Sequence, residues 1–317
     1  MTRSPHLARW LLLALLAFVL AGCDAQRKPP PQQPRSRAQG TLERSFKDPK
    51  AQQLAIAAER NDAAEVRRLM KEEHVNPDVF FSSKDDGFPL LAWPIVTHSP
   101  EGLRAMLENG ADPNAYQPYT NARGQVRRND NAMVYAAREK NPVYLKLLLE
   151  HGGDPSGRYS NGENLLYKAF IWHNQWQNVQ LLVERGADIN AGVLGEGGGQ
   201  TILFDYARYA DFDKVYWLLQ HGATPTVTIE FQPPASSPPD PPRVLYGAVE
   251  DIYWYPSNPV MQDWQRKCQI WLMQHGYPRP PMPKYLRKLR QEFNEPTDEK
   301  DIPLPELPAS EPVAGKI

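Results

Sequence analysis

One short phrase, repeated along the chain, restricts what this sequence can fold into. MLENGADPN (106–114), LLEHGGDPS (148–156), LVERGADIN (182–190) and LLQHGATPT (218–226) are variants of one sentence. LMQHGYPRP (272–280) is a fifth copy, and LMKEEHVNPD (69–78) a worn sixth. Two or three aliphatics close a helix and a polar pair follows. Gly then supplies the left-handed residue that ends the helix. Asp or Asn with Pro turns the chain. The glycines Gly110, Gly152, Gly186, Gly222 and Gly276 fall 42, 34, 36 and 54 residues apart. Self-similarity at such a period signals a repeat architecture.

A second phrase precedes each of these: QLAIAA (53–58), FPLLAWP (88–94), NAMVYAA (131–137), NLLYKAF (164–170), TILFDYA (201–207) and RVLYGAV (243–249). Small residues recur where two helices must approach closely: Ala57, Ala58, Ala92, Ala136, Ala137, Ala169, Ala207, Gly247 and Ala248. A short helix, a turn, a second helix and a Gly-Asp-Pro turn form a unit that cannot bury its apolar face alone, whereas stacked units bury a continuous core. This pair of phrases resembles the ankyrin repeat, with its TPLHxAA and LLxxGADxN signatures, over residues 48–281. The resemblance implies an all-α ankyrin-repeat solenoid of about six helix-turn-helix repeats with loop insertions, the first and last degenerate. The histidine of the first signature is missing throughout, with Ala55, Leu91, Val134, Tyr167, Phe204 and Tyr246 in its place. The usual hydrogen bonding between neighbouring turns is therefore expected to give way to packing. His151, His221 and His275 share one offset before the helix-ending Gly. That offset predicts a ridge in which each imidazole lies near its own helix's last carbonyls, not a metal site.

Insertions in a solenoid map to loops on one face, often the binding face. AYQPYTNARGQVRRND (115–130) carries Tyr116, Tyr119, Arg123, Arg127 and Arg128, and GRYSNGEN (157–164) adds Arg158 and Tyr159. Arg and Tyr are enriched at interface hot spots, so these seven residues are the expected partner-binding strip. AGVLGEGGGQT (191–201) reads as a flexible turn, and TVTIEFQPPASSPPDPP (226–242) as a proline-stiffened loop opening with a β-like run. The aromatic clusters IWHNQWQN (171–178) and DIYWYPSNPVMQDW (251–264) are expected in core and cap packing.

The chain begins with a basic start (Arg3, Arg9) and an apolar core from Trp10 to Leu20, about half the length a membrane-spanning helix needs. The ending Leu20-Ala21-Gly22-Cys23 resembles the lipobox of bacterial lipoproteins. That resemblance implies a signal peptide over 1–22 and a lipidated Cys23. It also implies localisation on the periplasmic side of the envelope, with Asp24 favouring the inner membrane. Residues 23–45 then form a disordered tether, 46–283 the ankyrin-repeat domain, and 284–317 a basic-then-acidic, Pro-rich, largely disordered tail. The net charge of −1 becomes −3 without Arg3 and Arg9, which gives no support for a nucleic-acid partner. Cys268 is the only cysteine besides Cys23 and lies on an apolar helical face, which predicts burial.

No catalytic signature appears. GEGGGQT (195–201) lacks the Lys that follows a phosphate-loop glycine, GRYSNG (157–162) has the wrong spacing for a nucleophile elbow, and H-E-x-x-H is absent. No enzyme, cofactor or small-molecule substrate is therefore expected. The expectation is a lipid-anchored protein-binding module. By analogy with periplasmic lipoproteins that protect against secreted antibacterial effectors, it would be an immunity protein against a toxin such as a type VI secretion phospholipase. A constitutive periplasmic scaffold for a resident envelope enzyme or cell-wall assembly is the alternative.

Overall fold

A computed structural model describes residues 47–81, 87–120, 124, 126–192, 200–226, 228–230 and 245–307. Cys23, the tether, Arg123, the glycine cluster at 195–199 and residues 308–317 lie outside the described residues. The elements that follow all belong to one compact unit, Asp48–Ile317.

Among the described residues six helix pairs follow one another. They are α1 (Pro49–Glu59) with α2 (Ala63–Lys71), α3 (Trp93–Val96) with α4 (Pro100–Glu108), and α5 (Ala132–Arg138) with α6 (Val143–Glu150). Then come α7 (Leu165–Ile171) with α8 (Trp176–Glu184), α9 (Ile202–Arg208) with α10 (Phe212–Gln220), and α11 (Ala248–Trp254) with α12 (Pro259–Gln274). The first helices stack in one row, α1 on α3, α5, α7, α9 and α11 in turn, and α2 packs on α4, α4 on α6, and α10 on α12. This is the all-α solenoid of ankyrin type that the two phrases predict.

The alanines of the first phrase are what allow the rows to close. Ala58, Ala92, Ala136, Ala137, Ala169 and Ala207 are fully buried. The approach is tightest where α4 meets α1, because a Cβ added to Gly102 would fall 1.9 Å from the Ala58 carbonyl oxygen. Asn131, Asn164 and Thr201 open the first helices as N-caps, each accepting a bond from a first-turn backbone N–H (Met133, Tyr167 and Phe204), which satisfies a donor the helix leaves orphaned. The helix-ending glycines all sit at positive φ, from 81° at Gly276 to 103° at Gly110. The histidine ridge is present as expected. Nδ1 of His151, His221 and His275 lies 2.9, 2.7 and 2.7 Å from the carbonyl oxygens of Leu147, Trp217 and Trp271, four residues back. A carbonyl only accepts, so each Nδ1 carries the proton.

Three expectations are corrected. Hydrogen bonding between turns is not lost; it moves to the last residue of the Gly-Asp-Pro phrase. Asp78 accepts from the Asp112 N–H, and Asn114 accepts from the Asp154 N–H while donating to the Gly152 carbonyl. Ser156 accepts from the Asp188 N–H, and Asn190 accepts from the Thr224 N–H and donates to the Gly222 carbonyl. Second, the helix expected from RVLYGAV starts only at its sixth residue. Leu245–Gly247 is strand β4, antiparallel to β3 (Thr228–Glu230), and α11 begins at Ala248. Pairing with β3 makes the middle of the phrase a strand.

Third, residues 284–307, expected in a largely disordered tail, are ordered. Helix α13 (Lys284–Glu292) packs on α11, burying Leu286 and Arg290. Arg290 donates to the Trp254 and Pro296 carbonyls and pairs with Glu295 at 3.0 Å, while Arg279 donates to the Ile302 carbonyl. The bond to the Trp254 carbonyl occupies an acceptor at the end of the last first-helix, where a terminal repeat needs cover. Cys268 is buried on α12 as predicted, its thiol donating to the Phe212 carbonyl at 3.3 Å.

The turn ladder generates a direct test. Asn190→Ala removes both bonds joining the fourth and fifth turns and is expected to destabilise the chain by about 1–2 kcal/mol, measured by urea unfolding.

Candidate functional site

The 115–130 insertion folds as a hairpin, β1 (Pro118–Thr120) paired with β2 (Val126–Arg128), with Tyr119 opposite Arg127. Cross-strand pairing brings its ends together. The Arg128 guanidinium lies 4.3 Å from the centroid of the Tyr116 ring, which is 47% exposed. Such a stacked cation retains donors at its edge. Tyr119 is half-buried and Arg127 is placed by its backbone alone.

The other two predicted residues do different work. Arg158 spends its guanidinium on the chain itself, donating to the Gly162 carbonyl at 3.0 Å and the Gly192 carbonyl at 2.9 Å. Tyr159 is only 4% exposed, and burial raises its hydroxyl pKa to about 12. Both therefore brace the turns and do not present themselves to a partner. Trp172, expected in packing, is instead 49% exposed.

Beneath the hairpin lies a polar cluster that the sequence reading missed. Asp130 accepts from the Ser160 hydroxyl at 2.5 Å, pairs with Arg138 at 2.7 Å and lies 3.4 Å from Lys168. Lys168, 2% exposed, also pairs with Glu163 at 2.7 Å and donates to Ser160 at 2.8 Å. Burial alone would raise the Asp130 pKa, but Lys168, Ser160 and Arg138 together hold it below the usual carboxylate range. Two cations matched by two carboxylates make the burial tolerable. Arg138 reaches back along α5 to Asp130, and its guanidinium also covers the Trp172 ring at 4.8 Å. Tyr119, Tyr135 and Arg138 share the wall of one cavity of about 370 Å³. The hairpin, α5, the turn at 160 and the end of α7 thus form one continuous surface, from the Tyr116–Arg128 stack to Trp172.

Polar residues occupy the same register along the first helices. The fourth residues of α5, α7, α9 and α11 are Tyr135, Lys168, Asp205 and Asp251. Asp205 and Asp251 are buried, and neither Oδ2 has a hydrogen-bond partner. Burial raises the Asp205 pKa to about 7 and that of Asp251 to about 6, although Tyr285 donates to Asp251 Oδ1 at 2.9 Å. For Tyr135, Lys168 and Asp205 the signal was present in the sequence as a polar residue inside the otherwise apolar phrase, whereas Asp251 lies two residues past RVLYGAV.

Among the described residues there is no helix long and apolar enough to cross a membrane, and no cluster of three potential metal ligands. No protein-family model and no curated protein matches the chain. Among solved structures, the ankyrin repeat domain of Bcl-3, a member of the IkappaB protein family, matches with a TM-score of 0.49 and 22% identity, over 71% of this chain and 86% of that one.

Two outcomes are expected. Asp130→Ala leaves Arg138 and the buried Lys168 short of a partner and is expected to cost about 2–4 kcal/mol in urea unfolding. For Asp205 the folded pKa lies above the ordinary value of about 3.9. Protonation therefore favours the fold: the contribution is complete below about pH 4 and lost as pH rises through 7. Asp205→Asn, neutral throughout, is expected to raise stability by roughly 1–3 kcal/mol at pH 8 and hardly at all at pH 4, read by thermal unfolding across that range.

Proposed function

We propose that this chain is a protein-binding repeat module, held at the periplasmic side of the bacterial envelope by a lipid on Cys23, that binds and neutralises an antibacterial effector. The observation that carries the binding reading is the continuous surface from Tyr116 and Arg128 to Trp172. It offers exposed aromatic area and cations already fixed on rings, the composition of an interface hot spot. A pre-ordered anchor loses little side-chain freedom on binding, so such a surface supports tight association.

The envelope part of the reading rests on Leu20-Ala21-Gly22-Cys23. The immunity role rests on the pairing of a lipid anchor with a rigid binding surface, and so on analogy of fold and compartment. A toxin that hydrolyses phospholipid works at the membrane, where a tethered binder would meet it. Steric cover of the effector's active site requires no chemistry from the binder.

The test is a pull-down from detergent-solubilised envelopes with Cys23 intact, followed by mass spectrometry. One stoichiometric hydrolase whose activity falls on binding is the expected result. Several resident envelope proteins with no toxin among them would leave a constitutive scaffold in its place. The Tyr116→Ala/Arg128→Ala double variant is expected to weaken the captured complex by about 10–100-fold in Kd, measured by calorimetry.

A further inference from the structure

The last repeat ends in a face that carries a groove and a ridge side by side. Aligned on LLQHG (218–222) and LMQHG (272–276), the first residue of α10, Phe212, matches Arg266, whereas α12 already starts at Pro259. Pro259–Gln265 therefore have no counterpart in α10 and lengthen the helix by about 10 Å. The segment after α13 returns along this extension. Gln262, Arg266 and Ile270 of α12, with Tyr255 and residues 302–306, line one groove of about 570 Å³.

The ridge is the strap IPLPEL, residues 302–307. Its exposure repeats every three residues. Ile302 and Pro305 are half-buried and Pro303 and Glu306 exposed, while Leu304 and Leu307 are 42% and 54% exposed. Three residues per turn is the period of polyproline II. The prolines restrict the backbone, and Arg279 donates to the Ile302 carbonyl at 2.7 Å. The two leucines thus stand on one outer edge of a strap that has little freedom left to lose on binding.

Charge decides the occupant. Arg266 and Glu306 both line the groove. Asp263 lies 3.6 Å from Arg266, but the two side chains are 66% and 84% exposed, so water weakens that pair. Glu306 is exposed and makes no ion pair among the described residues. A face with a groove, an apolar ridge, a loosely held cation and an unpaired anion is complementary to itself. A two-fold axis brings each ridge to the other copy's groove and makes both charge pairs at once. We propose that this face is a self-association surface, on which a second copy of this chain seats Leu304 and Leu307 in the groove and sets its Glu306 against Arg266. The surface belongs to the sixth repeat and the segment after it, whereas the hairpin surface belongs to the second to fourth repeats. The inference therefore goes beyond the partner-binding reading and does not rest on it.

The experiment is sedimentation equilibrium of the full chain in density-matched detergent micelles, over roughly 1–100 μM protein, where a small interface associates. The expected result is a protein mass that rises from one copy toward two. Leu304→Ser/Leu307→Ser changes only side chains that are already exposed. It should keep its circular dichroism spectrum and weaken association at least about tenfold. Arg266→Glu alone and Glu306→Arg alone each set like charges against one another across the axis, and each should weaken association about tenfold. Mixed in equal amounts, the two single variants restore opposite charges at both pairs and should recover the association of the unaltered chain. A mass of one copy throughout, association that the leucine variant leaves unchanged, or a mixture no stronger than either variant alone would overturn the surface. A pull-down that recovers no toxin would leave these masses as they are, so the two readings fail separately.

Discussion

Each of the first four repeats depends on a single polar side chain at the end of its turn. Asp78, Asn114, Ser156 and Asn190 reach across to the next turn and take its free backbone N–H. Asn114 and Asn190 also donate to the carbonyl of a helix-ending Gly. In a solenoid every repeat is stabilised by its neighbours and by nothing farther away. The ladder therefore fixes the angle at which successive turns follow one another. That angle decides how the alanines of adjacent first helices meet, and the hairpin grows from a turn positioned in the same way.

The polar cluster under the hairpin shows a different economy. Buried ion pairs seldom add net stability, yet removing one member is costly. Asp130 touches the turn at 160, α5 and α7 at once. It ties the insertion to two repeats through bonds of fixed geometry, where an apolar contact would allow sliding. The surface from Tyr116 to Trp172 is held in place by this arrangement. Asp205 and Asp251 occupy the register of Lys168 one and two repeats along, but neither Oδ2 has a hydrogen-bond partner, and burial raises their pKa instead.

Much of the architecture was legible in the sequence, because the repeat requires particular residues. Gly110, Gly152, Gly186, Gly222 and Gly276 stand where φ is positive. Ala58, Ala136, Ala169 and Ala207 stand where helices nearly touch, and the three histidines close on their own helices. What escaped were decisions made by distant partners. Tyr159 and Tyr116 are both tyrosines in inserted turns, yet one is buried and the other exposed, and nothing within either turn distinguishes them. Leu245–Gly247 has the first-helix phrase but pairs with Thr228–Glu230, because long-range strand pairing overrode local pattern. The proline-rich composition after residue 284 suggested disorder, but Leu286 and Arg290 gave α13 a place to dock. The cavity residues were the least legible, since Gly87, Tyr119, Arg138 and Ser160 come from separate segments that only the fold assembles.

The buried thiol of Cys268 has a consequence of its own. It sits between α10 and α12, donates to the Phe212 carbonyl, and burial raises its pKa well above the ordinary thiol value. A thiolate is the species that exchanges disulfides, so in the folded chain this sulfur is withheld from oxidants and from other cysteines alike. The same stack can thus pass between reducing and oxidising surroundings without covalent change. The sulfur also acts as a native clock: an alkylating reagent reaches it only when the joint between the last two repeats opens, so the rate of labelling reports how often that joint parts.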